Sequence, residues 1–339
     1  MNEKMRIHVD VVRQRRFVLV AFLCFVAILQ SGLRDINNLS ENNDTLNYLS
    51  AFEETLCTPF SDLINNFTLF GTEYTERDGG YPIFIKLSQY ISGDFTFFMF
   101  FTAAFFIIPL GVMISRYVKS YAGILLSFMI YFALFSNIVN CFMRQAIVLG
   151  LFLIASKYVI LRDWKKYFGM MLIAFTIHNS SVVALPFYFI PALKNSKKWL
   201  LIALIASPIL LYLSGIIVAQ LMAGTVYSVF INEDNYGVIS VILLIEFVAV
   251  MSIVFYRNLE RKEHISLLIG GMIGSLLLLP FVRIGGSIMR ISYYYILSIV
   301  PLVPLIIDTA FDTKLKNNKC VRFVVYFLSI GFFAYMYFK

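Results

Sequence analysis

Charged side chains are scarce in this sequence of 339 residues. Asp, Glu, Lys and Arg together make up 14% of the chain, whereas hydrophobic residues make up 60%. Soluble domains carry about 25% charged residues, so this scarcity excludes a soluble domain of this length. The apolar runs recur from end to end, each near the roughly 20 residues that cross a bilayer as a helix.

Cysteine and histidine are also rare. The chain has 4 cysteines, none of them in a CxxC spacing, and 3 histidines, so neither a zinc site nor a disulfide framework is indicated. The sequence also lacks a P-loop, a dinucleotide-binding loop, a serine-nucleophile elbow and an HExxH motif. We therefore expect no metal and no other cofactor.

The apolar runs lack the in-and-out alternation of a membrane β-barrel, as the run over 97–113 illustrates. Only helices then provide hydrogen-bond partners for all backbone N–H and C=O groups within lipid. The sequence predicts an all-α polytopic membrane protein, with a single transmembrane domain over 1–339. It has about nine full crossings, near 17–33, 95–114, 121–138, 145–160, 199–220, 238–256, 265–282, 291–307 and 322–338.

The net charge of +8 would indicate a nucleic-acid partner in a soluble protein, but here the positions of the basic residues report topology. Most lie in the N-terminal tail and in short loops on the same side. This distribution places the N-terminus in the cytoplasm and makes 34–94 a large extracytoplasmic loop after the first helix. We expect no nucleic-acid partner.

One stretch is too short for two crossings. Residues 167–193 have cytoplasmic charge at both ends, so the chain must enter the membrane and return. We predict a hairpin of short helices broken at 178–181, which raises the total to about ten or eleven membrane helices. Non-helical backbone at this depth requires a surrounding cavity, so His178 is expected to line a cavity open to the outside.

Helical spacing also occurs in the extracytoplasmic loop. There it predicts an amphipathic helix on the outer surface, from Leu46, Leu49, Leu56, Phe60, Leu63 and Phe67. Further along the chain, Gly270 and Gly274 form a GxxxG pair that favours close helix packing.

Arginines on the outer side are the strongest functional signal, because an Arg facing lipid costs about 2.5–3.5 kcal/mol. Arg144 lies at the outer start of a crossing that otherwise holds apolar and small residues, and its planar fork suits bidentate phosphate binding. The alternative is an Arg that reaches the interface or pairs with a loop carboxylate. Arg283 and Arg290, followed by Tyr294, fit an anion and a sugar ring, although interfacial tyrosines also form the ordinary aromatic belt.

His178 is the histidine nearest the predicted break, where it is either a functional base or a buried structural residue. In the extracytoplasmic loop, several side chains are candidates for substrate contact, although most charges in such a loop are only solvated. These are Arg34, Asp35, Asp44, Tyr48, Arg77, Asp78 and Tyr81.

Five fragments resemble the EpsG family and, more broadly, Wzy-type polymerases of bacterial O-antigen, capsule and exopolysaccharide repeat units. An Arg-Asp-Tyr pattern, a Gly-aromatic turn, an Asn-x-x-x-Arg-Gln helix, a Phe-x-x-His-x-Ser segment and an Arg followed by aromatics carry this resemblance. They lie at 32–48, 79–87, 140–156, 173–188 and 290–295.

The resemblance implies a metal-independent glycosyltransferase in the bacterial cytoplasmic membrane. Its substrates would be oligosaccharides linked to undecaprenyl diphosphate, and its partners membrane lipid and a chain-length regulator protein. The diphosphate ligands would be Arg144, Arg283 and Arg290, and the general base His178 or Asp44. Contacts to the glycan or the lipid head group would come from Arg34, Tyr48, Arg77, Tyr81, Gln145 and Tyr294. A flippase for lipid-linked oligosaccharides and an O-antigen ligase remain the alternatives.

Overall fold

The structure is a computed structural model that describes residues 3–36, 44–69, 78–222, 236–284, 286–313 and 318–338; side chains are described for 14–36, 44–69, 78–214, 239–281, 289–313 and 318–338. Helices dominate these ranges, and no strand occurs within them. The α-helices of the first half are α1 (Glu3–Gly32), α2 (Thr45–Cys57), α3 (Phe60–Asn65), α4 (Gly80–Gln89), α5 (Phe95–Tyr117), α6 (Tyr121–Cys141), α7 (Met143–Ile160) and α8 (Trp164–Ile177).

The second half begins with two 3₁₀-helices, Asn179–Tyr188 and Ile190–Ala192, and a third covers Leu279–Ile284. Its α-helices are α9 (Ser196–Met222), α10 (Tyr236–Val254), α11 (Tyr256–Leu259), α12 (Ile265–Leu278), α13 (Gly286–Ile296), α14 (Ile299–Thr313) and α15 (Lys319–Phe338).

Six helices in the described part of the chain are long and apolar enough to cross a membrane: Gln14–Gly32, Phe95–Tyr117, Tyr121–Cys141, Met143–Ile160, Ser196–Ser214 and Lys319–Phe338. A bent pair, Met289–Ile296 with Ile299–Thr313, adds up to one more, and two apolar helices are shorter, Ile239–Val254 and Ile265–Phe281. These helices lie at every position where the sequence predicts a crossing. The all-α membrane class is confirmed, whereas the number of full crossings and the orientation stay predictions.

Two prolines lie at irregular segments. Pro280 lies at the change from α12 to a 3₁₀-helix, and Pro301 lies in the first turn of α14, just after the 42° bend. Proline lacks an N–H group and is best tolerated in the first turn of a helix. Three other prolines, Pro109, Pro208 and Pro304, lie inside α5, α9 and α14, so a proline alone does not determine where a helix of this chain breaks.

The described helices form two compact units. The first contains residues 1–155, 169–181 and 319–339. In it, α1 packs along α5 and α6, α6 packs along α15, and α4 packs against α2, α3 and α5. Close contact between α1 and α5 depends on Gly111, because a Cβ atom there would overlap Cys24.

The amphipathic helix predicted for the 34–94 loop exists as α2 and α3. Leu46 and Leu56 are exposed on α2, whereas Tyr48 and Phe52 are buried on it. Phe52 packs against two phenylalanines of α5, with ring centroids 5.3–5.5 Å apart. Aromatic packing on α5 thus decides which face of α2 is covered.

The stretch predicted to form a broken hairpin contains a helix end at the expected position. Helix α8 ends at Ile177, and a 3₁₀-helix starts at Asn179. Farther along, the Tyr167 hydroxyl donates to the backbone oxygen of Ala184 at 2.6 Å, and the rings of Tyr167 and Tyr188 lie 5.5 Å apart. The chain after the break therefore runs back past the beginning of α8.

The second unit contains residues 156–168 and 182–318. Its helix α12 packs against α9 and α13 through a glycine face. A Cβ atom on Gly274 would lie 2.6 Å from Cγ of Tyr295, and one on Gly270 would lie 2.9 Å from Cγ of Pro191. The close packing predicted from the GxxxG pair is confirmed.

We expect Gly274→Ala to destabilise the second unit. The ring of Tyr295 cannot retreat easily, because it is buried and its hydroxyl donates to the Val183 backbone oxygen at 2.7 Å. Overpacking of this kind costs about 1–3 kcal/mol. The matched control is Gly331→Ala in α15, where an added Cβ atom meets nothing within 4 Å. Thermal unfolding of the purified protein in detergent should show a lower midpoint for Gly274→Ala alone; equal midpoints for both variants would contradict this packing.

Candidate functional site

An Asp-Gly-Gly sequence builds the start of α4. Asp78 has a φ of 65°, a left-handed conformation that Asp tolerates better than most residues. A Cβ atom on Gly79 would lie 2.5 Å from the backbone oxygen of Thr68, and one on Gly80 would lie 2.8 Å from the backbone carbon of Thr176. Gly79 therefore allows the chain to lie against Thr68, and Gly80 allows the start of α4 to lie directly against the end of α8.

The carboxylate of Asp78 is the centre of the polar cluster formed there. Its Oδ2 lies 3.0 Å from Nη1 of Arg144 and 3.0 Å from Nδ1 of His178. Its Oδ1 accepts a hydrogen bond from the backbone N–H of Asn179 at 3.1 Å. The side chain of Asp78 is only 6% exposed, so a buried carboxylate is held by a cation, an imidazole and a backbone amide.

The end of α8 positions His178. The backbone N–H of His178 donates to Ala174, and the backbone oxygen of His178 accepts from Ser181, so the residue lies at the change from α-helix to 3₁₀-helix. Its side chain is 25% exposed. Among the contacts of the described side chains, only Nδ1 of the ring has a hydrogen-bond partner, and Nε2 has none. The ring is thus anchored on one side and accessible on the other.

A sharp turn between two long helices positions Arg144. Phe142 separates α6 from α7 with φ −127° and ψ 59°, so Arg144 falls in the first turn of α7. Its Cζ lies 5.9 Å from the ring centroid of Tyr48 and 5.7 Å from that of Tyr81. Cation–π contacts of this kind contribute about 0.5–2 kcal/mol each. The guanidinium therefore contacts two aromatic rings in addition to its carboxylate partner.

The sequence left two readings of Arg144, and the structure shows the pairing with a loop carboxylate, since Asp78 lies in the 34–94 loop. The Arg144 side chain is 18% exposed beside this partner, so part of it remains accessible to a ligand.

Two further predicted residues join the same cluster. Gln145, which is buried, accepts a hydrogen bond from the Ser180 hydroxyl at 2.9 Å, so α7 is tied to the turn after α8. Tyr48 and Tyr81 pack edge to face, with centroids 5.9 Å apart. The Tyr81 hydroxyl has no hydrogen-bond partner among the described residues, and burial raises the pKa of Tyr81 well above its usual value. Its hydroxyl therefore stays protonated and can donate a hydrogen bond.

Arg34 lies in the same unit, just after α1. Its Nη1 donates to the backbone oxygen of Ser31 at 2.6 Å, whereas its Nε and Nη2 are buried without a hydrogen-bond partner in the described part of the chain. Burial lowers the pKa of Arg34 to about 10, so it remains a cation at neutral pH.

Asp44 and Asp78 are two candidates for the carboxylate of the site. Asp44 directly precedes α2, and its side chain makes no capping hydrogen bond to that helix. The carboxylate that contacts both Arg144 and His178 is that of Asp78, which sequence reasoning named only among the loop candidates. The available sequence signal was the Gly-Gly pair that follows Asp78.

The remaining predicted residues belong to the second unit or fall outside the described residues. Arg290 and Tyr294 lie on α13 in the second unit, where Tyr294 is buried. Arg77 and the side chain of Arg283 fall outside the described residues. Within the described ranges, no three His, Cys, Asp or Glu side chains are grouped so that they could hold a metal ion.

Comparison with known proteins identifies the family. A sequence model of the EpsG family matches residues 15–339, nearly the whole chain. No curated protein and no solved structure matches the chain. The resemblance seen in the sequence fragments is thereby confirmed. The chain belongs to the EpsG family, a family of Wzy-like membrane polysaccharide polymerases.

Proposed function

We propose that this protein polymerises undecaprenyl-diphosphate-linked oligosaccharide repeat units at the outer face of the bacterial cytoplasmic membrane. The observation that carries the proposal is the juxtaposition of a partly exposed Arg144 and a partly exposed His178 on one buried carboxylate. Family membership supports the polymerase reaction over the flippase and ligase alternatives.

The proposed reaction needs two groups from the protein. The bond between the anomeric carbon of the donor glycan and its diphosphate oxygen breaks, and the diphosphate leaves with the electron pair. A hydroxyl oxygen of the acceptor repeat unit bonds to that carbon and loses its proton. The protein must therefore stabilise the departing negative charge and accept one proton.

Arg144 is the proposed diphosphate ligand. Its guanidinium is positioned by Asp78 and by the rings of Tyr48 and Tyr81, and it lies in the first turn of α7. The N-terminus of an 18-residue helix adds positive potential at the same place, where anions are favoured. Charge and geometry at this point therefore both suit a leaving diphosphate.

His178 is the proposed general base. Its Nδ1 contacts Asp78, and its Nε2 is the nitrogen that would accept the proton from the acceptor hydroxyl. This role explains why a histidine lies at a helix break with its ring partly exposed. Asp44 is the less favoured base, because the described contacts do not join its carboxylate to Arg144 or His178.

The other predicted residues keep proposed roles. Tyr48 and Tyr81, which lie against Arg144, and Gln145 would contact the glycan or the lipid head group. Arg34 and Arg77, on the side predicted to be outer, would do the same. Arg283 and Arg290 remain proposed diphosphate ligands, and Tyr294 a proposed sugar contact. The proposed partners are lipid-linked oligosaccharides, membrane lipid and a chain-length regulator.

Deletion of the gene tests the reaction class. We expect the surface glycan to collapse to single repeat units attached to their lipid acceptor, as seen on a gel, with full-length polymer restored by the parent chain. If lipid-linked units accumulate at the outer face and no glycan is attached to the final acceptor, the protein is a ligase instead. Units retained at the inner face would indicate a flippase.

Replacement of Arg144 tests the diphosphate role. We expect Arg144→Ala to lower the polymerisation rate by about 10²- to 10³-fold, the usual effect of losing one donor to a developing anion. Arg144→Lys should restore little, since an ammonium lacks the planar fork. The matched control is Arg116→Ala, at an exposed position in the last turn of α5. Normal polymer from a stably expressed Arg144→Ala chain would remove this residue from the mechanism.

Replacement of His178 tests the base. His178→Asn should lower the polymerisation rate by about 10²- to 10⁴-fold, the usual range for a lost general base. His264→Asn provides the control, because His264 has a φ of 56°, which asparagine tolerates. Both chains should reach the parent's level in membranes. A His178→Asn rate within a few-fold of the parent would rule out His178 as base.

A further inference from the structure

We infer that Asp78 is a positioning residue that acts through His178 and selects Nε2 as its proton-accepting nitrogen. This inference rests on the proposed function of the site. Two donors meet at one carboxylate oxygen, since Nδ1 of His178 and Nη1 of Arg144 both lie 3.0 Å from Oδ2.

The tautomer of His178 follows from the chemistry of its partner. An ionised carboxylate can only accept hydrogen bonds, and the countercharge of Arg144 at the same oxygen suits the ionised form of this buried group. The ring nitrogen that faces Asp78 must therefore carry the proton. In neutral His178 this leaves the lone pair on Nε2, on the side of the ring away from Asp78.

Asp78 also suits the charge that develops during the reaction. When Nε2 takes the proton of the acceptor hydroxyl, His178 becomes an imidazolium in contact with the Asp78 carboxylate. A carboxylate held beside the base stabilises this cation without accepting the proton itself. The same carboxylate fixes the orientation of the ring, because its other oxygen is held by the backbone N–H of Asn179 at 3.1 Å.

The backbone around Asp78 is built to keep this carboxylate in place. Its left-handed φ of 65° turns the chain into α4, and Gly80 lets α4 lie against the end of α8. Asn tolerates the same backbone conformation, so Asp78→Asn removes the charge while keeping the turn. The substitution therefore tests the carboxylate rather than the fold.

A double-mutant cycle separates positioning from a merely structural role. Asp78→Asn alone should lower the initial rate by about 10²-fold or more, because the amide no longer fixes the tautomer of the base. If Asp78 acts through His178, the rate of Asp78→Asn with His178→Asn will lie at least about tenfold above the product of the two single effects, because residues that act as a unit are strongly non-additive. The remaining loss relative to His178→Asn alone reflects the pairing of Asp78 with Arg144.

The rates are measured in proteoliposomes supplied with the lipid-linked repeat units extracted from a strain that lacks this chain. The matched control is Asp94→Asn, which keeps the side-chain cap that Asp94 provides to the N–H of Thr96. Asp94→Asn should leave the rate of both the parent and the His178→Asn chain unchanged. Thermal unfolding in detergent verifies that each variant is folded; if Asp78→Asn is not recovered, Asp78→Gly completes the cycle, because glycine also tolerates the left-handed φ and lacks the carboxylate.

Chemical rescue provides a second measurement, and a merely structural role of Asp78 would not change its result. Added imidazole should restore part of the rate to His178→Gly when Asp78 is present, and much less when Asp78→Asn is also present, because the carboxylate orients the added base.

The outcomes separate the inference from the proposed function. The role of Asp78 is overturned if the rate losses of the two single variants multiply in the double variant and imidazole rescues both backgrounds equally. That result would leave His178 as base. Rates near the parent's for His178→Asn itself overturn the proposed base and this inference together.

Discussion

The site depends on one buried carboxylate that three parts of the chain share. Asp78 comes from the loop before α4, Arg144 from the first turn of α7, and His178 from the end of α8, and all three meet at one oxygen. A buried charge is tolerated only when it is paired and hydrogen-bonded. Removing any one partner would leave another without compensation, so the three elements are constrained to hold one arrangement.

Each element reaches that point beside a local interruption. A one-residue break at Phe142 separates α6 from α7, α8 ends at Ile177 just before His178, and Gly80 lets α4 approach Thr176. In a membrane protein, such breaks need surrounding protein or a cavity. The breaks therefore lie beside the proposed site.

Much of this arrangement could be predicted from the sequence, because its signals are local. The apolar runs predict the helix positions, and the HNSS stretch predicts the break after Ile177. Arg144 is recognisable as a lone charge beside an apolar run. Of the contact residues that the family resemblance indicates, Tyr48 and Tyr81 lie against Arg144 in the structure, and Gln145 bonds to Ser180.

The features that the sequence does not predict are those that depend on long-range packing. Asp78 is 66 positions from Arg144 and 100 positions from His178, and only the Gly-Gly pair that follows it distinguishes it from Asp44 and the other acidic residues of the loop. The contact of Phe52 with phenylalanines of α5 is likewise a long-range feature that helical spacing alone does not predict.

The most direct measurement uses the purified chain alone in proteoliposomes with extracted lipid-linked repeat units. The account predicts a ladder of lengthening lipid-linked glycans, with one undecaprenyl diphosphate released for each repeat unit added. A folded chain that releases no undecaprenyl diphosphate and forms no ladder, or that only moves the units across the bilayer, would contradict it.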